Sequence, residues 1–378
     1  MDDRGALARA VVCVPARNEA GALPRLIRSL AAQVGAGPEA RLRVVVLANN
    51  CTDDTVPILR ALEGGDIGAT LRLRVVEARI APPDAHVGTA RRMALEAGAA
   101  WLRAEGVGDG VLLSTDADAV APPGWALANL RALEDAELVG GRLVIDPQTD
   151  RPDPALADLH VRIERYWAGV RALEEAIDPP PHDPAPRHGD HVAASLALRV
   201  ALYEAVGGLP ALACGEDNAL VARVRRAGGR VRHCPAVHIA VSDRAAGRVE
   251  GGMATEMLRR ARIAEGQGSY RLPPAAHWRA LIERRRDWRL AWDSAAGWPA
   301  ALRGLGVDDA VIAAMAAEIA AEPCPNAIAF VERLAERIGE PGPEPEAQPL
   351  DTVLADLEAL RRRLQARHAD GAVTAPAA

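Results

Sequence analysis

Two acidic residues one position apart, Asp116 and Asp118, end the aliphatic run in VLLSTDADAVAPPGW, residues 111–125. Acidic residues are poor strand formers and are costly to bury unpaired. Two carboxylates this close repel each other unless a cation or hydrogen-bond donors compensate. Hard divalent ions such as Mg²⁺ or Mn²⁺ take few protein carboxylates and leave positions for phosphate oxygens. The pair therefore suits a metal–diphosphate. Taken alone it reads more readily as an Asp-rich turn capping a helix near Pro122. An EF-hand fails, because Val120 sits where a third ligand belongs.

Similar polar clusters follow other aliphatic runs. VVCVPARNE puts Pro15, Arg17, Asn18 and Glu19 after one, and VVVLANNCTDDT puts Asn49, Asn50, Asp53 and Asp54 after the next. In open parallel sheets, ligands collect beyond the carboxyl ends of the strands, so successive polar clusters there build a pocket floor. CGEDNALVARVRRAGG carries Glu216 and Asp217 at a helix start, where the dipole alone would favour them. Cys234 and His238 lack the second pair a zinc site needs. No GxSxG surrounds Ser195, which excludes a serine hydrolase elbow.

The elements that must position these groups alternate in the α/β manner over the first 145 residues. Strands are predicted at Val11–Val14, Arg43–Leu47, Leu71–Val76, Val111–Leu113 and Leu138–Ile145, then near Val192–Leu198 and Val237–Val241. Helices are predicted around Leu23–Leu30, Thr55–Leu62, Gly88–Ala104 and Glu216–Ala227, the last closed by Gly228 and Gly229. Residues 146–190 break this rhythm: two proline-rich stretches bracket a helix with Leu156, Leu159, Ile163, Trp167, Val170 and Ile177 on one face. Beyond about residue 255 the strand signals fade, and Trp278, Trp288, Trp292 and Trp298 fall in one helical stretch. A Pro/Glu linker then leads to a narrow stripe of Leu354, Leu357, Leu360 and Leu364, suited to docking on the body or on a second copy as a homodimer.

Composition bounds the rest. The chain has 378 residues, 49% of them hydrophobic but only 3% aromatic, so its core must rest on Leu, Val, Ile and Ala. A formal charge of −6 argues against a broad nucleic-acid footprint. Five scattered cysteines without a CxxC read as reduced thiols, and no run of eighteen apolar residues marks a transmembrane segment. A cytoplasmic protein is expected.

The ordered set VPARNE, NNCTDDT, GTARR, STDADA and GEDNAL resembles the family 2 glycosyltransferases of the GT-A fold, over about residues 9–252. The resemblance implies an α/β nucleotide-diphospho-sugar transferase fold, with a mostly parallel central sheet flanked by helices. The core would span 1–255 with the Pro-bracketed insertion at 146–190. A helical extension at 256–337, a linker at 338–349 and an amphipathic helix with its tail at 350–378 would follow. It also implies metal-dependent transfer, with Mn²⁺ or Mg²⁺, from a nucleotide-sugar donor, UDP-type favoured, to a hydroxyl acceptor.

By that resemblance Pro15, Arg17, Glu19 and Asn49 line the nucleoside, and Gly88 lets the backbone pass close to the donor. Arg91 lies near the nucleotide. Asp118 ligates the metal, and Asp116 contacts ribose, metal or its water. Asp217 beside Glu216 is the base of an inverting transfer, His238 a third metal ligand, and Arg244 and Arg248 belong to a loop over the diphosphate. His191, Ser195, Gly207 and Gly208 lie near the sugar. Where the family has two acids then Gly-Ser, this chain has Ala48-Asn49-Asn50-Cys51, so the first acid is missing. A retaining GT-A enzyme of the sugar-phosphoglycerate synthase type, or a non-catalytic nucleotide-sugar-binding homologue, fits the same pocket. Acceptor contacts are expected from helix 155–177 and the Trp-rich segment after 270. A nucleotidyltransferase would need a Gly-rich loop that PARNEAGAL lacks.

Overall fold

The structure is a computed structural model, and it describes residues 3–63, 65–146, 153–241, 253–340 and 345–373. It divides into two compact units. The first comprises Met1–Arg151, Pro186–Val224 and Gly229–Met257; the second comprises Pro152–Ala185, Arg225–Gly228 and Leu258–Ala378.

In the first unit, helix α1 (Asp3–Leu7) leads to β1 (Ala10–Ala16), α2 (Leu23–Ala31), β2 (Leu42–Asn49), α3 (Thr55–Glu63) and β3 (Leu71–Ala78). Then come α4 (Val87–Ala104), β4 (Val111–Ser114), α5 (Trp125–Ala132), β5 (Leu138–Gly140) and β6 (Arg142–Ile145). After α6 (Pro154–Ile177), which belongs to the second unit, the chain returns with β7 (Leu196–Arg199), α7 (Val200–Ala205), α8 (Glu216–Arg226), β8 (Val231–Arg232) and β9 (His238–Val241).

Seven strands form one sheet in the order β3-β2-β1-β4-β7-β5-β8. All neighbours are parallel except at β7, which runs antiparallel to both β4 and β5. Alternate residues of a strand face opposite sides, and the aliphatic runs fill both. Val12 and Val14 of β1 and Val44 and Val46 of β2 pack with Leu23, Leu26, Ile27 and Leu30 of α2. Val11, Cys13, Val45 and Leu47 pack instead with Ala94, Leu95 and Leu102 of α4. A sheet covered on both faces reads in sequence as continuous hydrophobic runs.

The long strand expected at Leu138–Ile145 is two. A Cβ on Gly141 would lie 2.1 Å from Ser195 Oγ, and its N–H donates to Ser195 O at 2.8 Å. The chain turns there, and β6 leaves to pair with β9 in a separate two-stranded sheet. The strand expected from Val192 begins only at Leu196, because Ala193–Ser195 form a short 3-10 turn.

The second unit answers the question of the Pro-bracketed helix. Rather than decorating the sheet, α6 joins the C-terminal helices. These are α9 (Met253–Ala264), β10 (Arg271–Leu272), α10 (Ala275–Trp292), α11 (Trp298–Gly304), α12 (Asp309–Ala321), α13 (Ala327–Ile338), β11 (Gln348–Pro349) and α14 (Leu350–Val373). Leu159, Ile163, Tyr166 and Leu173 of α6 pack against Leu350, Val353, Leu354 and Leu357 of α14. The leucine stripe expected to dock on the body or on a second copy packs on α6 of its own chain. Trp288 and Met315 sit in a further core with Phe330, against which Trp292 and Trp298 also pack. Trp288 is buried there and Trp292 and Trp298 are half-buried, while Trp278 packs on Trp167 and donates to the Tyr166 hydroxyl at 2.5 Å.

Candidate active site at the carboxyl end of the sheet

The site grows from the way β4 ends. Beyond Ser114 the backbone alternates: Thr115, Ala117 and Ala119 are buried, while Asp116 and Asp118 are half-buried. Spacing of two keeps both carboxylates on the open side, and the intervening alanines anchor the turn in the core. The turn is then pinned from above. Val120 N–H donates to Ala240 O at 2.8 Å, and Ala240 N–H returns a bond to Val120 O at 3.0 Å.

A buried guanidinium backs the pair. Arg91, on the first turns of α4, donates from Nη2 to Asp116 Oδ1 at 2.7 Å and from Nε to Glu216 Oε1 at 3.2 Å. Its Nη1 reaches Ser114 Oγ at 3.2 Å and Ala193 O at 3.4 Å. Burial acts to lower its pKa, but the charges of Asp116 and Glu216 outweigh that, and the net shift is upward. Ser114 Oγ also donates to Ala193 O at 2.8 Å, and Ala193 N–H donates to Asp217 Oδ2 at 3.1 Å. One network therefore joins β4, α4, the 3-10 turn before β7 and the start of α8.

Local sequence explains the α8 end of it. Gly215 sits at φ +78°, a conformation that glycine adopts without cost, and delivers Glu216 and Asp217 to the first helical turn. Glu216 is buried facing Arg91, whereas Asp217 is half-buried, its Oδ1 accepting from Asn218 N–H at 2.8 Å.

The loops after β1 and β2 are tied to each other. Asn18 and Asn50 both take left-handed backbone, at φ +53° and +51°, which asparagine tolerates better than most residues. Thr52 N–H donates to Asn18 Oδ1 at 2.7 Å, and Asp53 accepts from Ala20 N–H at 3.1 Å and from Thr55 Oγ1 at 2.6 Å. Asn50 bonds both ways with the backbone of Ile80, at 2.9 Å each. Asn18, Asn50 and Asp53 thus brace the crevice. Pro15 is buried in β1 and Asn49 is buried at the end of β2, while Arg17 is exposed and Glu19 half-buried beside them.

Several expected site residues have close partners within the chain. A Cβ on Gly88 would meet the Leu212 carbonyl oxygen at 2.0 Å, so its close approach is to the chain's own backbone. Ser195 is fully buried and accepts from Trp125 Nε1 at 3.0 Å. Gly207 and Gly208 make a turn whose carbonyls accept from Arg223 Nη1 at 3.3 and 3.1 Å. His191 shares a hydrogen bond with His233 at 3.2 Å.

His238 is not brought to the carboxylate pair. Because Val120 bridges Ala240 in antiparallel sense, Asp118 and His238 depart from that bridge in opposite directions, and His238 is exposed across β6 from Arg142. Among the described residues no three His, Cys, Asp or Glu gather as a metal cage. Arg244 and Arg248 lie outside the described residues. Asp118 and the Asp116 oxygen that Arg91 does not hold suit an ion that completes its shell with phosphate and water. Ser114 and Ala193 escaped sequence reading: the serine was visible in LLSTDAD, but the role of a backbone peptide leaves no signal.

The sequence from residue 11 to residue 174 matches the family model described as glycosyl transferase family 2, which takes in Asp116 and Asp118 but stops short of Glu216. No curated protein matches the chain. Among solved structures, S. aureus TarS resembles it at 15% identity and a TM-score of 0.39, over 62% of this chain and 35% of that one. The complex of S. aureus TarS 1-349 with UDP-GlcNAc gives 14% and 0.43, over 88% and 92%. Mannosyltransferase PcManGT from Pyrobaculum calidifontis, in complex with GDP-Man and Mn²⁺, gives 21% and 0.44, over 88% and 86%. The chain spans about a third of the longer TarS structure. The likeness to glycosyl transferase family 2 therefore lies in the matched stretch, which carries most of the parallel sheet and the paired aspartates.

Proposed function

We propose that the protein transfers a sugar from a nucleotide-diphosphate-sugar donor to a hydroxyl acceptor with inversion at the anomeric carbon. The observation that carries this reading is the shared network of Asp116 and Asp217, which joins a carboxylate pair to a second carboxylate through Arg91 and the Ala193 peptide. Asp118 and the outer oxygen of Asp116 would hold Mn²⁺ or Mg²⁺ on the diphosphate. Bound there, the ion supplies positive charge against the negative charge of the leaving group. Asp217 accepts the proton of the acceptor hydroxyl as that oxygen forms its bond to the anomeric carbon, and the bond to the diphosphate breaks with its electron pair leaving on phosphate. The Ala193 N–H fixes one oxygen of Asp217 and so aims the carboxylate. Arg17, Glu19 and the buried Asn49 are proposed to contact the nucleoside, with UDP the favoured donor class and the soluble, cytoplasmic setting the expected one. No described helix is long and apolar enough to cross a membrane.

Thermal melting with nucleoside diphosphates and their sugars, with Mn²⁺ or with chelator, tests the donor half. A ligand at about a hundred times its dissociation constant adds ~2.7 kcal/mol, a shift of several degrees. The shift is expected for one nucleotide class, to need Mn²⁺, and to vanish in Asp118→Asn. No shift with any nucleotide would sink the metal–diphosphate reading.

A further inference from the structure

We propose that Arg91 is a positioning residue that couples the donor side of the site to the acceptor side, holding Asp116 and the Glu216–Asp217 turn with one guanidinium. This rests on the transferase reading above, but it gives Arg91 a different task from contact with the nucleotide. The side chain is only 5% exposed, and its Nε, Nη1 and Nη2 all donate inward. Four of its five N–H groups are so engaged, two of them on carboxylates.

The connections close into a ring. From Asp116 the path runs through Arg91 to Glu216 and its neighbour Asp217, and from Asp217 through the Ala193 peptide back to Arg91 and Ser114. In a poorly solvated interior such charge-assisted bonds are stronger and more directional than in water. The planar fork of Arg spans two carboxylates at fixed angles, which the single ammonium of Lys does not. When the charge around Asp116 is changed by a bound metal–diphosphate, the guanidinium redistributes its bonds, and Glu216 must follow. The acceptor-side base is thereby ordered by the arrival of the donor.

Cys214 is exposed two residues before Glu216 and reports on that turn. Its alkylation by iodoacetamide, resolved from the other thiols by mass spectrometry, is to be followed with and without Mn²⁺ plus UDP or GDP. In the wild type the ligand is expected to change the Cys214 rate about fivefold or more, the lower end of ordinary site-to-site coupling. In Arg91→Lys the melting shift with Mn²⁺ and nucleotide should persist while the Cys214 response disappears. In turnover, Arg91→Lys should lower kcat by about a hundredfold with the donor KM unchanged, the signature of a misplaced group.

A Cys214 response that survives in Arg91→Lys overturns the proposal, and so does a raised donor KM with kcat intact. If no nucleotide shifts the wild-type melt, the donor reading has failed, and the coupling is decided without ligand. Asp116→Asn, on the far side of Arg91 from Cys214, must then raise the Cys214 rate, as must Arg91→Lys. Unchanged rates in the folded Asp116→Asn protein overturn the coupling whether or not Arg91→Lys folds.

Discussion

A single proton decides between the rival chemistries. Asp217→Asn is nearly isosteric and still accepts the Ala193 N–H, but it can no longer take a proton from the acceptor. General-base catalysis is worth about 10²–10⁴ in rate. Steady-state kinetics on Asp217→Asn should show kcat reduced within that range and the donor KM little changed. A variant with undiminished kcat would favour a retaining transfer that needs no base there. Asp118→Asn differs in kind, because its loss is expected in Mn²⁺-dependent donor binding.

Helix α4 is the element on which most of the site depends, and its two ends make different predictions. At its start, Ala in place of Gly88 would push a methyl group into the Leu212 backbone, which is not the flexible end of a side chain. Overpacking of this kind costs about 1–3 kcal/mol, so Gly88→Ala should melt several degrees lower and loosen the chain leading to Glu216. Just past its end, Glu105 is held by hydrogen bonds from Arg72, then Arg43 and Trp101, with burial opposing them, and its pKa falls from 4.5 to about 2. A depressed carboxylate stabilises the folded chain above its unfolded pKa, and that contribution is lost as pH falls through the folded value. The melting temperature should therefore decline as pH drops from about 4.5 towards 2, and Glu105→Gln should flatten that part of the profile.

At the scale of the whole molecule there are separate cores. Leu357 of α14 is 4% exposed and touches the surface of α6 at Gly169, where a Cβ would lie 3.2 Å from its Cδ1. Truncating a buried leucine costs about 2–5 kcal/mol. Leu357→Ala should bring forward the urea unfolding of the second unit, seen in the emission of Trp167 and Trp278. The nucleotide-dependent melting shift of the first unit should remain. Loss of both together would mean that the units fold as one.

Periodicity and residue type were enough for most of the sheet, for α2, α3, α4 and α8, and for the paired aspartates, because these depend on local alternation. Continuous aliphatic runs demand two buried faces, and acids spaced by two must share the open side of a strand end. What depended on the fold's long-range contacts could not be read that way. The break at Gly141 is set by Ser195, the tightness at Gly88 by Leu212, and the separation of His238 from Asp118 by an antiparallel bridge at Val120. The helix of 154–177 looked like an insertion because nothing local shows that its partner is α14, almost two hundred residues on. Tertiary structure alone decided that Arg91 faces inward. A guanidinium's partners are chosen by which carboxylates the packing brings within reach, and Glu216 arrives from 125 residues away.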